Sequence, residues 1–389
     1  MPSVSYWPRL LLASAAGLGL AVILAVHAFS VTAVRNSPQV AASLFPVNGL
    51  ALEQSAFAMF IADQSGDASA LEVSLEVNET ALTSVSKEAL TPKSHTLLAI
   101  SADDSNTRAT ILAAAEKLNR RDASLQGMLL QEYLDKEDDP ATIATLDRLL
   151  RVNPERSREF FPVLAAALAN EETLPVFGEL LDNASPWHQD FLEFASRQRD
   201  SLQGLAAIRS ELVIESDTFD RRLITGLIAQ GDEATASRIY RQVTGKEIAI
   251  FSGGTMDWQS EYPPFDWRLI DEPGFRAQPS RDGAGLEITI RPGKGGIIAA
   301  RLIDAPSGPF KVSVDLQMSQ SQQLRDVRVQ LLCPNSTTPF FDERLSRQGD
   351  GFEVPAVPED CDYQILAINA RAWSGRSALS GTIRSIEIS

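Results

Sequence analysis

The sequence predicts a multidomain protein, α then β: an N-terminal transmembrane helix, an α-solenoid-like helical region, and a C-terminal antiparallel β-sandwich or jelly roll. Three observations lead to this order. Residues 10–34 contain no Asp, Glu, Lys or Arg, and residues 44–245 repeat apolar side chains at spacings of three and four. Residues 246–389 then alternate short apolar and polar runs between Gly- and Pro-containing turns, which is typical of strands.

The apolar run at residues 10–34 is the predicted membrane anchor. At about 1.5 Å per residue it is long enough to cross a bilayer as a helix. Residues 1–9 then form a short cytoplasmic tail, and residues 35–43 a polar linker to the exported part. The alternative is a cleaved signal peptide, because Val26-His27-Ala28 is an acceptable small-residue cleavage site. Against it, signal h-regions are normally only about 7–15 residues long.

Composition limits the class of protein. The chain has 389 residues, 44% of them hydrophobic, which is enough for real cores and argues against bulk disorder. Its net charge of −16 would repel nucleic acid and an anionic membrane surface, so nucleic acid is not an expected partner.

Cys333 and Cys361 form either a disulfide, which an exported domain favours, or two buried free thiols.

Motifs for catalysis and cofactor binding do not occur in the sequence. The three histidines are scattered, and the chain has no HExxH, CxxC, P-loop, GxGxxG or GxSxG pattern. We therefore expect no metal, no cofactor and no catalytic residue. A glycan hydrolase or lyase remains the enzymatic alternative, because 51 acidic residues make some pair of carboxylates inevitable.

The helical region, residues 44–245, is marked by a cap residue followed by proline at four predicted helix starts. These are Thr91-Pro92, Asp139-Pro140, Asn153-Pro154 and Ser185-Pro186. Helices of about 11–15 residues joined by short turns suggest a repeat of two helices. A compact helical bundle is the alternative to a solenoid.

Three short segments resemble degenerate tetratricopeptide repeats. The residues that carry the likeness are Leu227, Gly231, Ala236 and Tyr240; Leu146, Leu149 and Pro154; and Pro46, Asn48, Leu50 and Ala51. The usual Trp-x-x-Leu-Gly signature is missing. The resemblance implies a scaffold that docks partner proteins.

The C-terminal region, residues 246–389, is the predicted β-sandwich. Its expected strands are residues 286–290, 296–303, 310–318, 327–333, 363–373 and 381–389.

This C-terminal region resembles the jelly rolls of carbohydrate-binding modules. The likeness is carried by Pro264-Phe265-Asp266-Trp267-Arg268, the pair Cys333 and Cys361, and Gly381 to Ile383. The whole layout resembles bacterial exported proteins that are associated with exopolysaccharide or capsule production. That resemblance implies a single-pass protein of the bacterial inner membrane, with a cytoplasmic N-terminus, a periplasmic bulk, and envelope proteins and polysaccharide as partners.

Sugar binding needs exposed aromatic faces with polar groups beside them. The candidate residues are Trp258, Tyr262, Trp267, Trp373, Asp266 and Arg268. Trp267 lies in an alternating run and is expected in the core, whereas Trp258 and Tyr262 lie in loop sequence with a better chance of exposure. The leading hypothesis is a non-catalytic envelope scaffold that binds polysaccharide, and a purely structural adaptor without a ligand is the third alternative.

Overall fold

A computed structural model describes residues 7–64, 72–181, 185–246, 248, 257–304 and 308–389. The chain forms two compact units, Met1–Phe160 and Phe161–Ser389. The predicted fold class is confirmed, with helices followed by two antiparallel sheets. The second unit contains the later helices together with the whole described β region.

Helices follow one another along the chain up to Thr244. Their bounds are α1 (Trp7–Ala33), α2 (Pro38–Leu44), α3 (Gly49–Gln64), α4 (Leu75–Lys87), α5 (Pro92–Ile100), α6 (Ser105–Leu118), α7 (Ala123–Asp135), α8 (Asp139–Val152), α9 (Ser157–Ala167), α10 (Leu174–Leu180), α11 (Pro186–Ala195), α12 (Leu202–Glu211), α13 (Asp217–Ala229) and α14 (Glu233–Thr244).

Within α1, the stretch Leu10–Ala33 is long and apolar enough to cross a membrane, as a signal sequence would also be. Most of residues 35–43, the predicted linker, form the short helix α2. Pro38 starts this helix, where its missing N–H costs no hydrogen bond.

Local sequence explains where most of the helices begin. Pro92 and Pro186 each start a helix, α8 begins at Asp139, and Pro154 opens a 3₁₀ turn that leads into α9. Acidic side chains also cap helices, as where Asp232 accepts a hydrogen bond from the N–H of Thr235 at the start of α14. Consecutive helices pack in pairs, α3 with α4 and α13 with α14 among them. Whether these pairs are tetratricopeptide repeats stays a prediction.

Gly245 ends the helical region at the predicted change of composition. Its φ of 67° lies in the left-handed region that glycine adopts readily, which terminates α14.

The strands form two antiparallel sheets, a five-stranded one in the order β1-β5-β10-β7-β8 and a six-stranded one in the order β2-β3-β4-β11-β6-β9. Their bounds are β1 (Arg268–Leu269), β2 (Asp271–Glu272), β3 (Phe275–Pro279), β4 (Leu286–Ile290), β5 (Gly295–Asp304), β6 (Phe310–Met318), β7 (Val327–Leu332), β8 (Phe341–Arg344), β9 (Asp350–Val354), β10 (Tyr363–Arg371) and β11 (Leu379–Ile388).

The core of the sandwich is built by alternation along the strands. Leu286, Ile288 and Ile290 of β4 are buried, and so are Val327, Val329 and Leu331 of β7. All six strands expected from the sequence are present within two residues of their predicted bounds.

Cys333 and Cys361 form a disulfide, so the free-thiol alternative does not hold. The bridge spans 28 residues of sequence, and closing a loop of that length contributes about 3–4 kcal/mol.

Candidate functional site

Four of the six predicted sugar-binding residues are buried, and they present no open face to a ligand. Trp267 is fully buried and Trp258 is 6% exposed, and the two rings pack together with centroids 5.0 Å apart. Asp266 and Tyr262 are buried as well. Trp258 and Tyr262 thus lack the exposure that their loop sequence favoured, because Trp258 packs in the sandwich core and Tyr262 bonds to α13.

Asp266 is the centre of that packing. One of its carboxylate oxygens accepts a hydrogen bond from the Tyr240 hydroxyl of α14 at 2.9 Å, and the other accepts one from the backbone N–H of Tyr262, also at 2.9 Å. The Tyr262 hydroxyl in turn donates to Asp217 of α13 at 3.0 Å. These bonds tie α13 and α14 to the sandwich, so Asp266 and Tyr262 have a structural role.

We call this contact between α13, α14 and the sandwich the joint. The raised pKa values of its two tyrosines agree with a structural role. Burial, with a further rise from the hydrogen bond to Asp217, raises the pKa of Tyr262 to about 12. Burial and the neighbouring Asp266 carboxylate also raise the pKa of Tyr240 above its usual value. Both hydroxyls thus stay protonated as hydrogen-bond donors.

Trp373 is the predicted aromatic residue that the structure does expose. It follows β10 and is 48% exposed. Its indole N–H donates to Asp326 at 3.0 Å, and Asp326 also pairs with Arg376 at 3.7 Å. The guanidinium of Arg371 lies 4.7 Å from the ring centroid, which is cation–π geometry. The ring is thus held in place at the surface with charged groups around it.

Polar side chains lie next to Trp373 on the side of the five-stranded sheet that faces away from the sandwich interior. Directly opposite residues of antiparallel strands point to the same side, and the strand pairing places Asn369 opposite both Arg328 and Ile297. Arg328 in turn lies opposite Arg344 at the sheet edge. These residues alternate with the buried core residues, so they face away from the sandwich interior.

The neighbouring row of the same face contains small and polar side chains. Arg268 lies opposite Ala300, Ala300 opposite Ala367, and Ala367 opposite Gln330. Gln330 accepts a hydrogen bond from the Asn369 amide at 3.3 Å. The predicted residue Arg268 is exposed on this row, so the structure places it on the same sheet face as the polar row beside Trp373.

A cavity of about 390 Å³ lies where this face meets α13. Ile228, Pro263, Leu302 and Ile365 give it apolar walls, and Arg268 supplies a charge. We call the surface from this cavity to Trp373 the outer face. From Ile365 to Trp373 it extends about 27 Å at 3.3–3.4 Å per residue.

Sequence reasoning missed most of the polar residues of the outer face: Arg328, Gln330, Asp342, Arg344, Asn369 and Arg371. A signal was present in the run VRVQLL, where Arg328 and Gln330 alternate with apolar residues. That alternation indicates one solvent-facing side, but not which strands lie beside it.

The carboxylates at the outer face are held by arginines. Arg328 donates to Asp342 at 2.6 Å, and Asp326 has the pairing with Arg376 described above. Among the described residues there is no group of three or more His, Cys, Asp or Glu side chains that could hold a metal ion.

Comparisons with known proteins identify no family. No protein-family model and no curated protein matches the chain. Among solved structures, the accessory secretory protein 1, 2 and 3 structure from Streptococcus pneumoniae is similar over 36% of this chain and 97% of its own, with 10% identity and a TM-score of 0.25. The structure of TmCBM61 in complex with β-1,4-galactotriose is similar over 34% and 98%, with 10% identity and a TM-score of 0.23. At such scores neither likeness bears on what this chain binds.

Proposed function

We propose that this protein is a membrane-anchored, non-catalytic scaffold of the bacterial envelope that binds polysaccharide on the outer face and serves exopolysaccharide or capsule assembly or export. The observation that carries the binding function is Trp373, a large aromatic ring kept half exposed and positioned by Asp326 and Arg371. An exposed indole can stack on the apolar side of a sugar ring. Gln330, Asn369 and the arginines beside it can donate hydrogen bonds to sugar oxygens.

The carboxylates of the outer face are better suited to a binding protein than to a hydrolase. A glycosidase uses one carboxylate as a general acid and another as a base or nucleophile. Asp326 and Asp342 are instead each held by an arginine. The function that we propose for this face is therefore recognition of the glycan.

Retention of α1 as an anchor is supported by the length of its apolar stretch, Leu10–Ala33, which at 24 residues exceeds the roughly 7–15 residues of a signal h-region. Ser30 and Val34, near the C-terminal end of α1, are buried. Ser30 donates to the carbonyl of Ala41 in α2 at 3.1 Å and accepts from the Asn48 amide at 2.9 Å. Ser30 and Val34 both follow the candidate cleavage site at Ala28, so this packing fixes the start of the exported part in either case. The disulfide supports an oxidising, periplasmic location for the bulk of the chain.

The decisive experiment measures binding by Trp373→Ala. The full-length protein in nanodiscs of zwitterionic lipid would be titrated with a panel of bacterial exopolysaccharides, including xanthan, succinoglycan and dextran. We expect saturable binding to at least one of them, weakened about 30-fold by Trp373→Ala, as for an aromatic residue that supplies much of the binding energy.

Tyr262→Phe is the matched control, because Tyr262 belongs to the same predicted set but is buried in the joint. It should leave the affinity unchanged in protein whose circular dichroism shows a folded state. If the folded protein binds none of the panel, or if Trp373→Ala binds as well as the wild type does, the proposed binding function is wrong.

A further inference from the structure

The outer face is unusually rich in arginine. Arg268, Arg328, Arg344 and Arg371 all project from it, and we call these four residues the arginine face. Arg328 is neutralised by Asp342. Arg268 and Arg344 have no ion pair among the described residues, and Arg371 contacts the Trp373 ring. Three positive charges on this face are therefore not balanced by a carboxylate.

This local charge is opposite to that of the protein as a whole. The chain carries 51 acidic and 35 basic residues. At physiological ionic strength charges act over a Debye length of about 8 Å, so a ligand lying on the arginine face is affected mainly by the arginines. The acidic remainder would repel polyanions that approach elsewhere, which confines them to this face.

The geometry suits an extended ligand with repeated carboxylates. The guanidinium group presents a planar fork of N–H donors that matches a carboxylate. Arg268 on the first strand and Arg344 on the fifth are four strand spacings apart, about 19 Å. A single sugar cannot bridge that distance, whereas a chain of sugars can.

We propose that the outer face selects an acidic polysaccharide, one whose repeating units carry uronic acid carboxylates. Arg268, Arg344 and Arg371 pair with carboxylates of different sugars along the polymer, and Trp373 stacks on a sugar ring at one end. This inference rests on the proposed polysaccharide-binding function and names the class of its ligand.

Polygalacturonate and its fully methyl-esterified form provide the test. The two polymers share a backbone, and each carboxyl group is a charged carboxylate in one and a neutral methyl ester in the other. We expect the full-length protein in zwitterionic nanodiscs to bind polygalacturonate at least about tenfold more tightly in 50 mM salt. The preference should shrink as the salt concentration rises to 300 mM.

The variant Arg268→Gln/Arg344→Gln/Arg371→Gln removes the unbalanced charges. Exposed ion pairs each contribute little, so each substitution should weaken polygalacturonate binding about threefold, and the triple variant, with additive effects, about 30-fold. The control Arg276→Gln/Arg281→Gln/Arg384→Gln removes the same charge from exposed positions outside the five-stranded sheet. Its affinity for polygalacturonate should match that of the wild type.

The possible results separate the two proposals. Equal binding of both polymers, or equal losses in the two triple variants, would overturn the acidic-ligand inference and leave the binding function standing. Binding of neutral dextran in place of polygalacturonate would have the same meaning. Equally tight binding of a single-stranded oligonucleotide would also overturn the inference, because it would show a general attraction to polyanions. If no polysaccharide binds, both proposals fail.

Discussion

Asp266 shows how one residue can define a joint. It is 1% exposed, and its two oxygens accept hydrogen bonds from Tyr240 and from the backbone of Tyr262. A buried carboxylate with partners on both oxygens holds those partners at fixed positions. The joint between α14 and the sandwich therefore depends on this side chain.

We predict that Asp266→Ala destabilises the protein by about 2–4 kcal/mol. The substitution leaves a buried hydroxyl and a buried N–H without an acceptor, and each such group costs about 1–3 kcal/mol. Urea unfolding would measure the change. Glu261→Ala, at an exposed position nearby, should shift stability by less than about 0.5 kcal/mol. Equal stabilities for the two variants would contradict the structural role of Asp266.

At the scale of one element, α4 exposes two leucines on one side, with Asn78 and Glu79 between them, and we call this pair the leucine stripe. Leu75 is 82% exposed and Leu82 is 53% exposed. They are seven residues apart, which places them on the same side of the helix. Such a stripe marks a candidate surface for the protein docking that we propose for the helical region.

A photo-crosslinking residue at position 82 should therefore form a discrete adduct with another envelope protein in living cells. The same residue at position 83 is the matched control, because Thr83 is also exposed but lies about 100° around the helix. Identical adduct patterns at the two positions, or no adduct at either, would argue against docking through this stripe.

At the scale of the whole molecule, retention or cleavage of α1 decides whether the protein stays anchored in the membrane. The apolar stretch of α1, Leu10–Ala33, is 24 residues long, more than the roughly 7–15 residues of a signal h-region. We predict that α1 is retained, so the mass of the protein extracted from membranes should include residues 10–34. A mass that lacks the residues before Ala28 or Phe29 would instead establish cleavage of a signal peptide.

The sequence by itself determined the order of the architecture. Apolar length indicates the membrane-spanning run, helical spacing and Xaa-Pro caps indicate the helices, and alternation locates strands such as β4 and β6 at their observed bounds. These signals are local, because each depends only on residues that are close along the chain. Pairing of Cys333 with Cys361 could also be predicted from the sequence, since the chain has only two cysteines.

Only the tertiary structure decided which of these residues a ligand can reach. Trp258 and Trp373 are both tryptophans near glycines, yet one is buried and the other exposed. The difference arises because Trp258 packs on Trp267 within the sandwich core, whereas Trp373 follows β10 at the surface. The arginine face likewise forms from four strands whose residues lie up to 103 positions apart, from Arg268 to Arg371. Strand order and the covering of a sheet are non-local contacts, and local periodicity carries no information about them.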